Sequence, residues 1–296
     1  MQNADDFKSG YIAIAGKANV GKSTLFNLLV GERLSIVTAK PQTTRHRVSG
    51  ILTSRTSQMI FLDTPGLFQP RCRLHERMCD QIRRSVSDAD VFLGVIDASA
   101  FDATFDREMR EVLRRVRSPR IVAVNKCDLV SAAMGAQCAD TVRKEAHVQE
   151  VLPVSARSGD NVDLLRSSLE QALPSGPLFF PEDMLTEHPE RFFVTELIRE
   201  EIFLQLRQEL PYATTVKVEA YREGSHRTYI RASIVVERNS QKGIVIGGNG
   251  KTLKSIGKNA RGKIEAFLDA PVYLDLRVKV VRNWRKKEQA LRGFGY

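Results

Sequence analysis

The chain has 296 residues, enough for two domains, and 42% of them are apolar, enough to build real cores. No run approaches the roughly 18 apolar residues needed to span a bilayer, and MQNADDFKSG has two acids and no apolar h-region, so no signal peptide is expected there. The net charge of +10 is uneven: residues 211–296 hold 18 Lys/Arg against 7 Asp/Glu, residues 1–210 hold 27 against 28. A block of that sign attracts polyanions, either nucleic acid or an anionic membrane face. Cys72, Cys79, Cys127 and Cys138 form no CxxC pair and no Cys/His cluster, so reduced thiols of a cytosolic protein are expected.

In chain order, YIAIAGKANVGKSTLFNLLVGE reads as a buried strand followed by a helix with Leu25, Leu28 and Leu29 on one side. Between them Gly16, Lys17, Ala18, Asn19, Val20, Gly21, Lys22 and Ser23, continued by Thr24, match GxxxxGK[ST] in the strand–loop–helix setting this motif needs. The glycines let backbone N–H groups turn toward phosphate oxygens, and the helix N-terminus adds its dipole. Lys22 would reach the β- and γ-phosphates, and the Ser23 hydroxyl would ligate Mg²⁺. MIFLDTPG is a second apolar strand, ending in Asp63, Thr64, Pro65 and Gly66. Its carboxylate can hold the Mg²⁺ shell, and the Gly66 amide can approach a γ-phosphate. IVAVNKCD ends in Asn125, Lys126 and Asp128, where a carboxylate can accept from the guanine N1–H and N2–H₂ edge that adenine lacks. VLPVSAR then presents Ser155 and Ala156, whose amide could donate to guanine O6. Four such pieces in order, each at the C-terminal end of a strand, mark the place where open α/β sheets bind ligands.

With these motifs the sequence resembles the translation-factor-related GTPases, and AKPQTTRHR (Ala39–Arg47) fits the Era family of ribosome-assembly GTPases. The resemblance implies that TTR is switch I and that one threonine completes the Mg²⁺ shell, Thr44 being favoured over Thr43. Such a segment is mobile until the γ-phosphate orders it. Many GTPases place a water-orienting glutamine just after DxxG. Here that position is Leu67, which cannot hydrogen-bond to water. The resemblance implies that the asparagine of a P-loop reading NVGKS binds K⁺, so Asn19 is either a K⁺ ligand doing the electrostatic work of an arginine finger or a turn residue. No general base is visible. Slow, Mg²⁺-dependent hydrolysis of GTP to GDP is expected.

The GTPase domain is assigned to residues 1–173. PSGPLFFPEDMLTEHPE carries Pro174, Gly176, Pro177 and Pro181, so residues 174–190 read as a linker and 191–296 as a second domain. A helix is expected from about Phe192 to Leu210, then two strands, TTVKVEAYRE and TYIRASIVVE. Next comes GIVIGGNGKTLKSIGKNAR. Gly250-Lys251-Thr252 imitates the end of a P-loop, but the required upstream glycine falls on Val245. GxxG does fit, as Gly247, Gly248, Asn249 and Gly250 between two helices of a basic, strand-containing domain, which is the KH loop that clamps about four nucleotides of a single strand. A groove from Ile244, Val245 and Ile246 is expected to hold bases. The loop itself lacks the usual Lys or Arg, so charge must come from Lys242, Lys251, Lys254 and Lys258. In the tail, Trp284 among basic residues either stacks on RNA or packs on its domain.

The expected fold is a doubly wound α/β P-loop GTPase domain with one antiparallel edge strand near residues 47–54, followed by an α+β type II KH domain. The resemblance implies binding of GTP and GDP, of 16S rRNA near its 3′ end and of the 30S ribosomal subunit, with no DNA expected. It also implies a cytoplasmic protein with peripheral contact to the inner membrane face. Two rivals stand beside it. One is an RNA-binding module with an inert P-loop, which the intact nucleotide motifs disfavour. The other is a membrane-docking GTPase, which would need an amphipathic interfacial stretch that is lacking here.

Overall fold

Runs such as YIAIA, MIFL and VFLGVI have no polar side to show to water, so they become strands buried on both faces of a parallel sheet. The computed structural model describes residues 7–296, so the reading of MQNADDFKSG falls in part outside the described residues. The first elements are β1 (Lys8–Ala15), α1 (Lys22–Val30), β2 (Val48–Thr53), β3 (Ser57–Asp63), α2 (Arg73–Asp88) and β4 (Val91–Asp97). A short α3 (Phe101–Thr104), α4 (Arg107–Arg115), β5 (Arg120–Asn125), α5 (Ala132–Ala146), β6 (Glu150–Pro153) and α6 (Val162–Ala172) follow. The six strands take the order β2-β3-β1-β4-β5-β6, and β2 alone among them runs antiparallel to its neighbour. The edge strand expected near residues 47–54 is therefore present.

Parallel pairing aligns the strand ends. Ile14 stands opposite Asp63 and Asp97 opposite Asn125, which brings the loop after β1 beside those after β3, β4 and β5. On one side of β4 and β5, the buried residues of α4 and α5 (Met109, Leu113, Ala139, Val142) close over Phe92, Val122 and Val124.

Packing divides the chain into Met1–Gln69 with Met78–Glu187, and Pro70–Arg77 with His188–Tyr296. Much of the segment expected as a linker thus belongs with the first unit. The Ile51 amide donates to the Leu185 carbonyl at 2.8 Å, and Gln58 accepts from the amides of Phe179 and Phe180. Phe180 and Met184 pack on Ile51, Ile60 and Leu62, which face away from α1. The prolines stop a helix, and the extended chain satisfies its backbone on the edge strand instead.

The second unit holds α7 (Glu190–Gln205), α8 (Leu210–Ala213), β7 (Thr215–Arg222), β8 (Thr228–Val236), α9 (Asn239–Ile246), α10 (Lys251–Leu268), β9 (Val272–Val280) and α11 (Glu288–Gly293). The helix expected to reach Leu210 stops five residues earlier. Leu206 is extended, Gln208 has φ 54°, and the chain restarts with Pro211 in the first turn of α8, where a missing N–H costs nothing. The sheet order is β7-β8-β9, antiparallel and then parallel. Ile230, Ala232, Ile234 and Val236 on β8 point into one core with Val194, Ile198 and Ile202 of α7 and Ile256, Ala260 and Ile264 of α10. Strand period two leaves Tyr229 and Arg231 on the other face.

Candidate nucleotide and RNA sites

The loop between β1 and α1 is held open by contacts that leave no room for side chains. A Cβ on Gly16 would lie 2.3 Å from the Val95 carbonyl oxygen, and Gly21, at φ 94°, faces the Asn125 amide. Asn125 ties the guanine motif to this loop: its Nδ2 donates to the Val20 carbonyl at 2.8 Å, and its Oδ1 accepts from the Ala156 amide at 2.9 Å. Of the residues expected to read guanine, Asp128 accepts from the Ser155 hydroxyl at 2.7 Å, which aims the carboxylate. Lys126, in the left-handed region at φ 64°, lays its amine on Asp97. The Ala156 hydrogen, expected to reach guanine O6, is given to Asn125. A base carbonyl there would have to share it.

Three oxygen donors meet at the start of α1. Ser23 Oγ donates to Asp63 Oδ2 at 2.7 Å and lies 3.0 Å from Thr44 Oγ1. Asp63 is fully buried, and its Oδ1 has no hydrogen-bond partner among the described residues. A buried carboxylate oxygen left over beside two hydroxyls is the donor set a hard, octahedral cation takes, so these residues fit Mg²⁺. Burial pushes the Asp63 carboxyl upward, against the pull of Lys22 and the hydroxyls of Ser23, Ser35 and Thr44. Burial likewise lowers the Lys22 amine to about 8, with Asp63 opposing. Thr43 turns elsewhere, bonding Thr38 Oγ1 and the Lys40 carbonyl, each at 2.8 Å.

Around this cluster lies a cavity of about 420 Å³ lined by Ala18, Asn19, residues 21–24 and 36–40, Gln42, Thr43, Thr44, Gly66 and Lys126. Asn19, at φ 64°, donates from Nδ2 to the Ala39 carbonyl at 3.2 Å, which joins the P-loop to the switch segment. Thr64 and Pro65 lead to Gly66, where a Cβ would press on the Ala18 backbone. The Leu67 amide donates to the Gly16 carbonyl at 2.9 Å, while its side chain packs toward the core.

In the second unit, the GxxG loop carries Gly247 at φ 72°, Asn249 at φ 52° and Gly250 at φ 73° just before α10. A Cβ on Gly247 would strike Thr252, whereas one on Gly248 would meet nothing within 4 Å. The loop is thus fixed at one glycine and open at the next. Lys251, Lys254, Lys258 and Arg261 fall at helical spacing along α10, and all four are exposed. A cavity of about 560 Å³ runs beside Lys254, Lys258 and Arg261, with Leu253, Leu274 and Leu276 in its lining. This corrects the expected apolar groove. Val245 is buried in the core, Ile244 is 60% exposed and Ile246 packs only partly, because neighbours on a helix point about 100° apart. Lys242, half-buried on α9, does not line this cavity. Trp284 takes the packing role: it is fully buried, donates to the Ala213 carbonyl at 3.0 Å and lies against Phe294 and Tyr296.

Two family models match the chain, a 50S ribosome-binding GTPase over residues 11–126 and a KH domain over residues 209–285. GTPase Era of Carboxydothermus hydrogenoformans is 42% identical over 98% of both chains. The chain belongs to the Era GTPase family. A solved structure of Era with MgGDPNP and nucleotides 1506–1542 of 16S ribosomal RNA is similar at 38% identity and TM-score 0.93, over 98% of this chain and 99% of that one. A variant of Aquifex aeolicus Era bound to GDP.AlF4- matches to the same degree. Within this Era-family site some participants carry no sequence signal. Ser35 donates to Asp63 Oδ2 at 2.9 Å from an irregular loop that Asn27 holds in place. Lys17 pairs with Asp106 at 2.9 Å and with Glu108 at the start of α4. The position of Lys17 in the P-loop was evident, but its partners lie about ninety residues away.

Proposed function

We propose that the protein binds GTP in the first site, hydrolyses it to GDP and phosphate, and uses the second site to hold 16S rRNA near its 3′ end during assembly of the 30S subunit. The observation that carries the nucleotide reading is the convergence of Ser23, Thr44 and Asp63 beside Lys22, with Asp128 held ready by Ser155. Ser23, Thr44 and Asp63 would hold Mg²⁺, which when bound neutralises β- and γ-phosphate oxygens. Lys22 would take the same phosphates, the P-loop amides would orient them, and Asp128 would select guanine. Leu67 supplies no water-orienting group, so transition-state charge would be met by the P-loop and by K⁺ at Asn19. The RNA reading rests on the GxxG geometry, the basic row on α10 and the 16S ribosomal RNA bound by the similar Era structure. The setting that goes with it is the cytoplasm, with membrane contact resting on charge alone. No helix of the described residues is long and apolar enough to cross a membrane.

Exchanging Asp128 for Asn tests the assignment. The amide cannot accept two guanine hydrogens, so GTP affinity should fall at least about 100-fold and xanthosine triphosphate should gain. GTP binding as tight as in the parent would overturn the guanine site.

A further inference from the structure

The second unit has a further surface beyond the GxxG loop, one that meets the α10 groove at Tyr273. Among the described residues, α7, α9 and α10 pack on one face of its sheet. The C-terminal segment is tied to one end of the sheet: Trp284 to Ala213, the Tyr296 hydroxyl to Thr215 Oγ1 at 3.1 Å, and Arg285 to Glu237. Toward the other end, the face away from the helices carries Tyr229 and Arg231 on β8 and Tyr273, Asp275 and Arg277 on β9, with Tyr229 opposite Tyr273 and Arg231 opposite Asp275. The two tyrosine rings stack with centroids 5.7 Å apart and planes 12° from parallel. Arg227 lies over Tyr273 at 5.5 Å and Arg231 over Tyr229 at 5.8 Å. Arg222, opposite Tyr229 on β7, is exposed and makes no ion pair among the described residues.

We infer that this open sheet face is a second RNA-contact surface, on which unpaired bases of a single strand stack against the Tyr229–Tyr273 and Arg227 platform while Arg222 and Arg277 meet its phosphates. The inference rests on the RNA reading above and extends it. Flat π-faces beside guanidinium groups suit bases without regard to sequence, and fixed positive charge suits the backbone between them. Asp275 holds Arg231 and Arg277, each at 3.0 Å, so those guanidiniums are oriented before any ligand arrives. Tyr273 also borders the α10 groove, since that cavity is lined by Lys254, Lys258, Tyr273 and Leu274. A strand leaving the loop along α10 therefore meets the edge of β9 and, beyond it, the platform. The loop alone clamps about four nucleotides, so a longer strand needs a place of this kind.

The test uses the full chain and two single strands, one of about 4 nucleotides, matched to the loop, and one of about 12. The double variant Arg227→Ala with Tyr229→Leu should bind the short strand like the parent and the long strand about tenfold more weakly, with an unchanged GTPase rate. A single reversal, Arg222→Glu, sits on an exposed side chain and decides the matter if the double variant melts abnormally. It should weaken the long strand alone, most at low salt. Unchanged long-strand affinity would overturn the inference, as would an equal loss for both strands, which would place the effect in the groove. Loss of binding to anionic vesicles with RNA binding intact would make the face a lipid contact and equally overturn it. A parent that binds neither strand would instead remove the RNA reading itself.

Discussion

Gly66 shows at the scale of one residue how the nucleotide site is assembled. A Cβ there would lie 2.9 Å from the Ala18 nitrogen and 3.0 Å from its Cα, both backbone atoms that cannot swing aside. Gly66→Ala should therefore cost about 1–3 kcal/mol of stability in thermal or denaturant unfolding, as overpacking does, and should slow GTP hydrolysis by displacing the P-loop. An alanine variant with parental stability and rate would show that the two loops are not in contact. The neighbouring Leu67 gives a second expectation. Hydrolysis should be faster in K⁺ than in Na⁺ at matched ionic strength, because the charge stabilisation that a glutamine does not supply here would come from a cation at Asn19. Equal rates in the two salts would remove the K⁺ role and leave Asn19 as the left-handed turn residue that its φ of 64° also makes it. Leu67→Gln should not restore fast turnover, since its backbone is already committed to Gly16.

At the scale of elements, α7 and α10 are joined by buried charge as well as by apolar packing. Lys263 of α10 reaches Glu200 at 2.6 Å and Glu201 at 2.5 Å, and both carboxylates are almost fully buried. Burial works against ionised Glu201, yet hydrogen bonds from Lys263, Gln205 and Asn259 hold its carboxyl below the usual range. Burial also works against charged Lys263, and its two carboxylate partners raise it above the ordinary lysine value. The carboxylate contribution is present above the ordinary Glu value and is lost as pH falls through the depressed one. The lysine contribution is complete below the ordinary Lys value and is lost as pH rises through the raised one. Lys263→Met should cost roughly 1–3 kcal/mol at neutral pH, less than a fully buried pair because 27% of the lysine side chain is exposed. It should also change the slope: the parent keeps this contribution on mild acidification and loses it only below the ordinary Glu value, whereas the variant, with Glu201 stranded without its lysine, already gains stability under mild acidification. Parallel melting curves against pH for the two proteins would refute the coupling.

The same elements show what was legible in the sequence. β1, β3, β5 and β6 announce themselves because each is a contiguous apolar run ending in a motif, and the information is local. The GxxG loop is legible for the same reason. The end of α7 was not, because Leu206 and Gln208 leave the helix at residues with no breaker signature of their own. Trp284 was ambiguous because its acceptor on Ala213 lies 71 residues away. Ser35 and the Lys17 partners are likewise invisible to any pattern read within a window.

At the scale of the molecule, two glycine loops meet two kinds of phosphate, in separate units with separate charge. The P-loop unit is nearly neutral overall, and the cation at its site, Lys22, is buried beside Asp63. The second unit carries the surplus positive charge on exposed side chains around an open loop. One double substitution separates the two sites. Gly248 has no atom within 4 Å of a Cβ placed on it, and Asn249 holds a left-handed conformation that aspartate also tolerates, so both positions accept aspartate without disturbing the fold. RNA affinity and GTPase rate should be measured on Gly248→Asp with Asn249→Asp, after its melting profile is shown to match the parent. Two negative charges where a phosphate strand passes should weaken single-stranded RNA binding at least about tenfold, while GTP binding and hydrolysis stay within about twofold. Undiminished RNA binding, or a GTPase rate that falls together with it, would contradict this separation.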